Sequence, residues 1–572
     1  MEHIILFSLL SLVVLGGIAM IAEPKPAGEP LPVPGRSVVA TRYGIVASSQ
    51  PLASMAGIQM LEQGGNAVDA AIATNAVVGV TEPTGNGIGG DLFVIAYEAK
   101  SGKLSGLNAS GWSPKGLTPE FMASQGISEM PHHGIHSVTV PGVVAGWAAL
   151  RERLGTLPLS TLLAPAIAYA EEGFPVAEVT AGLWNRALPL LAAHPNSAAT
   201  FLLGSRAPAA GELFRNPDLA GSLRRIAEKG RDGYYTGPTA EAIVAISREL
   251  GGAFTLEDLA GFQPEWVAPI WTTYRGWKVY EIPPNTQGIA ALIMLNLMEQ
   301  FPLGDYGFHS ARSLHIMIEA KKLAYADMLR YVGDPQFSDI PVAAMLDKTH
   351  AAKRARLIGE RAQRSVQPSQ LARVTDARGN DTIYLTAIDK QGNIASLIQS
   401  NYMGFGSGVV PPETGFMLQN RGALFTLEKD HPNTLAGRKR PLHTIIPGFM
   451  EKGDVHIGFG IMGGWNQAQA HAQFVANIVD YGMNIQQALE AGRFTKGTFD
   501  GCDVTVEELV PERVRQELAT LGHEVQPWPR RTSNTLGFGQ AVMSNGAGVH
   551  FGASEPRHDG AAIPQPAPVA KR

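Results

Sequence analysis

The sequence predicts an α/β (α+β) chain in which a sandwich of sheets is covered by helices, on three observations. Strand-like runs cluster early and late, at Gly44 to Ser49, at Leu92 to Tyr97 and through Asp381 to Ser400. Helical patterning fills most of the chain between them, from about Val143 to Gln300 and again over Ala311 to Val332. The late block alternates apolar and polar residues around a Lys390-Gln391-Gly392-Asn393 turn, which reads as a hairpin. Strands grouped in blocks, rather than alternating with helices, fit packed sheets better than a doubly wound parallel sheet.

Each element has a local reason. Ser54 to Gly65 is predicted helical from its apolar spacing and its Gly-Gly stop. Asn66 to Val80 is a second, Ala-rich helix, with Asn66 placed to cap it and Asp69 to suit the dipole. Leu92 to Tyr97 is a buried strand. Leu157 to Glu171, Pro217 to Lys229, Thr239 to Leu250 and Ala311 to Val332 are helices. Ala351 to Asn380 is polar with little apolar periodicity and reads as an exposed, mobile stretch. Beyond the hairpin, strands are expected at Gly415 to Leu418 and Asp454 to Gly458, then a helix from Ala468 to Tyr481.

Composition sets the bounds. An apolar share of 45% and a charged share of 17% in 572 residues leave ample material for a core and exclude intrinsic disorder. The 64 glycines and 39 prolines exceed the usual ~12% share without any period, a sign of many tight turns rather than collagen. A net charge of −5 gives no basic footprint, so nucleic acid is not expected as a partner. The single cysteine, Cys502, cannot form an internal disulfide or a cysteine-based metal site, and it has no identifiable base beside it.

Residues 1–22 contain an apolar run, Ile4 to Ala22, just long enough to span a bilayer. It reads as a signal peptide or a membrane anchor, which would place the body outside the cytoplasm or on a membrane. The n-region has no Lys or Arg, while Lys25, Arg36 and Arg42 follow the run, so an uncleaved anchor would leave the body on the cytoplasmic side. If Met20 is the true start, the run is not translated and the protein is cytoplasmic. Residues 23–35 are a Pro-rich linker.

Two stretches match G-x-G-x-x-G. Gly85 to Gly90 follows a helix and precedes a strand, the wrong order for a phosphate turn. Gly458 to Gly463 follows a strand and opens a helix, with Asp480 further on, but no second strand carries that aspartate. The same backbone geometry at a helix N-terminus would serve as an oxyanion hole. His315 and Glu319 stand one helical turn apart, and His132, His133 and His136 share a loop. Neither group shows a third ligand, so no metal or other cofactor is expected.

Six motifs, in order, carry a resemblance to a known family. They are Gly64 to Ala71 (GGNAVDAA) with Gly87 to Asp91 (GIGGD), Val140-Pro141-Gly142, Pro283 to Gly288 (PPNTQG), Gly333-Asp334-Pro335, Asp381-Thr382 followed by Phe405-Gly406-Ser407-Gly408, and Met462-Gly463-Gly464. From about Arg36 to Ser554 the chain resembles the γ-glutamyltranspeptidases, self-cleaving N-terminal-nucleophile hydrolases. The resemblance implies a four-layer αββα sandwich. It also implies processing at Asp381/Thr382 into a large fragment, 36–381, and a small one, 382–572, which stay together as a heterodimer. Thr382 would then be both nucleophile and, through an α-amino group whose unperturbed pKa is ~8, general base. Ser400 falls where the family keeps a second threonine. Gly463 and Gly464 match its oxyanion donors, worth roughly 3 kcal/mol each in comparable sites.

The departures from the family concern the acyl group. The family's carboxylate-binding arginine falls on Ser110, its ammonium-binding aspartate on Leu424, and its paired serines on His443 and Thr444. Thr426 to Pro441 is shorter than the lid-bearing loop of the transpeptidases. Leucine cannot accept a hydrogen bond from an ammonium, whereas Arg421, beside Asn420, can clamp a carboxylate. The expected activity is hydrolysis, or transfer, of γ-glutamyl or related carboxyacyl amides such as glutathione-like compounds. The alternative is the family's lidless branch, acting on glutaryl-cephalosporin-like or oxamate-like amides without an α-amino group. A non-catalytic binding protein and a dinucleotide enzyme are the readings from other classes.

Overall fold

The structure, a computed structural model, describes residues 35–369, 381–529 and 536–568, with the side chain of Asp381 excepted. The expectations for residues 1–34, and for residues 370–380 of the stretch before the proposed cleavage point, lie outside these. No helix among the described residues is long and apolar enough to cross a membrane.

Two seven-stranded sheets form the centre. One runs, edge to edge, through Ala561–Pro564, Ile45–Ser48, Asp381–Ile388, Ile394–Tyr402, Asp91–Glu98, Lys103–Ala109 and Glu265–Val267. The other runs through Val39–Thr41, His550–Ser554, Gly539–Ser544, Val455–Ile461, Gly448–Lys452, Trp277–Glu281 and Ile270–Tyr274. All ladder pairings in both are antiparallel.

Three apolar cores lie at the three interfaces this makes. Between the sheets pack Ile45, Phe93, Tyr384, Ile398, Phe449 and Val542. Ile383, Leu385 and Ala387 point the opposite way from Tyr384 and Ile388, into a second core with the helices Pro51–Glu62 and Ala67–Thr81. On the outer face of the other sheet, Gly288–Met298, Ala311–Tyr331 and Gln467–Val479 build the third core. The order is helix, sheet, sheet, helix, the four-layer sandwich that the resemblance implies.

The Asn66 cap is present in full. Its side chain accepts from the backbone N–H groups of Val68 and Asp69, and the Asp69 carboxylate accepts from the Asn66 N–H. Val143 to Gln300 is mainly helical, as expected, but Glu265–Val267, Ile270–Tyr274 and Trp277–Glu281 are strands, each too short for its alternation to stand out. Two expectations need correcting. Gly415 to Leu418 is a loop, since Gly415 has a φ of 74° and lies against the backbone of Leu219. Ala351 to Ala355 belongs to the helix Lys348–Ala355 rather than to an irregular stretch.

Gly458 and Gly460 lie inside a strand, not in a phosphate loop. A Cβ on Gly458 would meet Ile394, and one on Gly460 would run into the Tyr384 ring, both on the facing sheet. The glycines let two sheets approach closely, which removes the dinucleotide reading. Gly460→Ala should therefore destabilise the protein by about 1–3 kcal/mol through overpacking. A denaturant midpoint unchanged from the parent would refute this.

Candidate active site

Strand Asp381–Ile388 pairs with Ile394–Tyr402, and the register breaks between Asp381 and Ile383, which puts Thr382 on a bulge. Bulges re-aim side chains, and here the hydroxyl of buried Thr382 donates to Ser400 Oγ at 3.2 Å. Ser400 Oγ also accepts from the Tyr402 N–H at 2.7 Å. Tyr402 has a φ of 82°, a strained value for a bulky residue, at the point where the strand ends. Gly90 explains the first glycine-rich run. Its Cβ would fall 2.6 Å from both the Ser400 carbonyl and Asn401 Oδ1, so the loop carries glycine to reach the strand that pairs with Thr382's own.

Gly463 and Gly464, with φ of 129° and 56°, turn the chain out of strand Val455–Ile461 and toward helix Gln467–Val479. This strand-to-helix turn is the setting in which backbone N–H groups serve as oxyanion donors. Gln287 locks the turn by donating to the carbonyls of Gly464, at 2.7 Å, and Thr444. Gln287 lies in the Pro283 to Gly288 motif, which the sequence marks without revealing its task.

Thr444 leads to Arg421. Arg421 is fully buried, its Nη1 donates to Thr444 Oγ1 at 2.6 Å, and its guanidinium lies 4.4 Å from the centre of the Tyr402 ring. Its Nε and Nη2 have no hydrogen-bond partner among the described residues. Burial pulls the guanidinium down to about 10, against the nearby charges of Asp91 and Tyr402, so it is still a cation at neutral pH. Asn401, next to Ser400, is likewise buried with both ends of its amide unpartnered. Buried polar groups are nearly always satisfied, so a cluster of orphans near Thr382 and Ser400 marks groups available to a ligand.

The other predicted substrate contacts have structural partners. Ser110 is buried and donates to Asn108 Oδ1 at 2.7 Å. Asn420 donates to the His132 carbonyl at 2.6 Å and accepts from the Met403 N–H at 3.1 Å. His443 lies 3.0 Å from Asp91 Oδ2, while its Nδ1 faces the Ile445 N–H at 3.3 Å. Burial, reinforced by Arg421, holds the imidazole well below its usual range. It is therefore neutral, with Nε2–H donating to Asp91. These residues frame Arg421 rather than offer a free group.

Asp91, opposite Ser400 in the ladder, also accepts from the Gly111 N–H at 2.9 Å. Burial raises its carboxyl to about 7, with Arg421 and that N–H opposing the rise. The folded protein thus keeps a proton that the unfolded chain releases near the ordinary aspartate value of 3.8. The stability this contributes is present below pH ~4 and lost as pH rises through ~7. His443 acts with the opposite sign, losing its penalty as pH rises past the ordinary histidine range. The parent-minus-variant difference for Asp91→Asn isolates the carboxyl: the melting-temperature advantage of the parent should shrink from pH 5 to pH 8. A difference independent of pH would contradict the assignment.

One group gains a partner that the sequence does not reveal. His315 and Glu319 meet His523, all three buried, with His315 Nδ1 2.8 Å from His523 Nε2. The Lys322 ammonium sits 2.6 Å from Glu319, inside the cluster. A cation is already built into it, and the group is an interior network. His133 Nδ1 lies 2.9 Å from the Gly406 carbonyl, and Cys502 is buried.

The family model for Gamma-glutamyltranspeptidase matches residues 53–565. The chain belongs to that family. It is 37% identical over 535 residues to a glutathione hydrolase-like proenzyme of Bacillus subtilis, covering 92% of this chain and 99% of the relative. An oxamate amidohydrolase proenzyme of Klebsiella pneumoniae is 31% identical, covering 91% and 98%. Among solved structures, a cephalosporin acylase from Bacillus halodurans superimposes with a TM-score of 0.86 at 42% identity, covering 94% of this chain and 98% of its own. As a member of the γ-glutamyltranspeptidase family the protein is an amidase of the N-terminal-nucleophile type, and its sandwich is that of the acylase.

Proposed function

We propose that this protein is a self-processed amidase for carboxyacyl amides whose acyl part lacks an α-amino group. Cleavage before Thr382 frees an α-amino group beside its own hydroxyl. The amine takes the hydroxyl proton as Thr382 attacks the amide carbonyl, the turn at Gly463 and Gly464 stabilises the oxyanion, and water resolves the acyl-enzyme. Ser400, within hydrogen-bonding distance of Thr382, orients the nucleophile. The large and small fragments remain one body, because each sheet is built from strands of both.

One observation carries the substrate reading: a buried cation, Arg421, aims two unpartnered donors from a frame made by Thr444 and Tyr402. A carboxylate matches that fork. Leu424, at the other end of the same turn, offers nothing to an ammonium. The names of the oxamate amidohydrolase and cephalosporin acylase relatives are consistent with such an acyl group. The glutathione hydrolase-like relative keeps γ-glutamyl amides as the comparison to make. Glutaryl, γ-glutamyl and butyryl amides of one amine form the test, and kcat/KM should fall in that order from glutaryl. A γ-glutamyl amide turned over faster than the glutaryl one would overturn the proposal. The apolar run at 4–22 suits export or membrane attachment, and N-terminal sequencing of cell fractions tests that.

A further inference from the structure

The two glycines of the turn need to be held. Gly463 and Gly464 both have positive φ, where glycine is free to shift, while oxyanion donors work only if their N–H groups are fixed before the reaction. One pin is local. The Gly463 carbonyl accepts from the Asn466 N–H at 2.9 Å, and because the peptide is planar and trans the Gly464 N–H points the opposite way. The next pin comes from another part of the chain. Gln287 is fully buried, and its Nε2 donates to two carbonyls, Gly464 at 2.7 Å and Thr444. Its backbone is laced to the same segment. The Gln287 N–H donates to the His443 carbonyl at 2.9 Å, the His443 N–H to the Asn285 carbonyl at 2.8 Å, and Asn285 Nδ2 to the Pro441 carbonyl at 2.7 Å. Thr444 in turn holds Arg421 through its hydroxyl at 2.6 Å. A single nitrogen atom thus joins the residue that anchors the guanidinium to one of the two turn glycines.

We infer that Gln287 is a positioning residue, which fixes the span between the Arg421 clamp and the Gly463–Gly464 turn and so restricts the acyl chain to one length. The inference rests on the carboxyacyl amidase reading and adds the length of the acyl group to it. A substrate carboxylate on Arg421 and a carbonyl oxygen at the turn are two ends of one short chain, so the protein must hold both ends at a set distance. One methylene more or less moves an end by about 1 Å, a misplacement that can cost about a hundredfold in rate. Residues of similar shape cannot replace the amide. A hydrocarbon donates nothing, and an ionised carboxylate would bring only acceptors to two carbonyl oxygens.

The experiment compares monoamides of succinic, glutaric and adipic acid with one amine, and the butyryl amide as a chain without a carboxylate. Processed parent enzyme should prefer one dicarboxylic length over the other two by at least about tenfold in kcat/KM. Gln287→Met keeps the bulk and removes the donors. Its kcat for the preferred amide should fall about 10- to 100-fold, and the three lengths should come within about threefold of one another. The butyryl amide should lose kcat by a similar factor, because it too uses the turn. Gln287→Glu gives a second readout. Its activity relative to the parent should be greatest at acid pH, where the carboxyl is protonated and can donate to one carbonyl, and should fall as pH rises and the group ionises. A role that needs only bulk would leave that ratio flat. Three lengths cleaved alike by the parent would overturn the inference. So would a kcat and a length profile unmoved in a Gln287→Met protein that still processes and melts like the parent. Should Gln287→Met fail to fold or process, the parent's length profile and the Gln287→Glu ratio carry the test. If the butyryl amide is cleaved as fast as every dicarboxylic one, the acyl reading is what fails. The kcat lost by Gln287→Met on the butyryl amide then tests the pin on the turn by itself: a loss supports it, and no loss refutes it.

Discussion

Thr382→Ala protein should emerge as one uncut chain, while the parent yields two fragments, the smaller beginning Thr382-Ile383-Tyr384. The reason is that one side chain serves two reactions. On the proposed mechanism the same hydroxyl attacks the Asp381–Thr382 peptide bond and later the substrate, so its loss would stop both. Amidase activity should drop at least about a thousandfold, since removing a nucleophile abolishes the covalent route altogether. Thr382→Ser keeps the hydroxyl and should still process, more slowly. Intact mass against the 60.9 kDa of the whole chain reads the outcome directly, whatever happens at the N-terminus. A parent protein that also stays whole and inert would reject the nucleophile assignment and leave the binding-protein reading in front.

The bulge at Thr382 explains why this chemistry was only half legible beforehand. Alternation in Asp381 to Ser400 is a local pattern, and it placed the hairpin and its turn correctly. The Asn66 and Asp69 cap, confined to four residues, was readable for the same reason. What was not readable joins residues far apart in sequence. Asp91 meets His443 across 352 positions, and His315 meets His523 across 208. No local rule foretells either pairing. The short strands of residues 265–281 fail differently. With three to five residues each, they offer too few alternations to separate from helical neighbours. The Gly458 to Gly463 run shows the converse error, because a spacing that suits a phosphate turn equally suits two sheets packed close. Only the facing Tyr384 ring decides between them. Ser110 and Asn420 were placed at the site by position in the chain. Their hydrogen bonds show that neighbouring side chains and backbone already use the groups such positions would lend to a substrate.

Arg421→Met should raise KM for a glutaryl amide with little change in kcat, so that kcat/KM falls about 30- to 1000-fold. That range corresponds to about 2–4 kcal/mol, the usual loss when one member of a buried, hydrogen-bonded charge pair is removed. Arg421→Lys keeps the charge but not the fork, and should recover part of the affinity, leaving a deficit of roughly tenfold. The competing explanation makes Arg421 structural, an ion-pair partner of Asp91. The two carboxylate oxygens of Asp91 are already engaged by Gly111 and His443, and no direct bond reaches the guanidinium. A structural cation would also have its donors filled, and Nε and Nη2 are not. Removing a buried charge with unfilled donors relieves desolvation, so Arg421→Met should melt no lower than the parent by more than a few degrees. An uncharged butyryl amide supplies the internal control, because it has no carboxylate to lose and its kcat/KM should be indifferent to the substitution or improve. If instead all three amides weaken together and the melting temperature falls, Arg421 holds the site in shape and the acyl carboxylate is bound elsewhere.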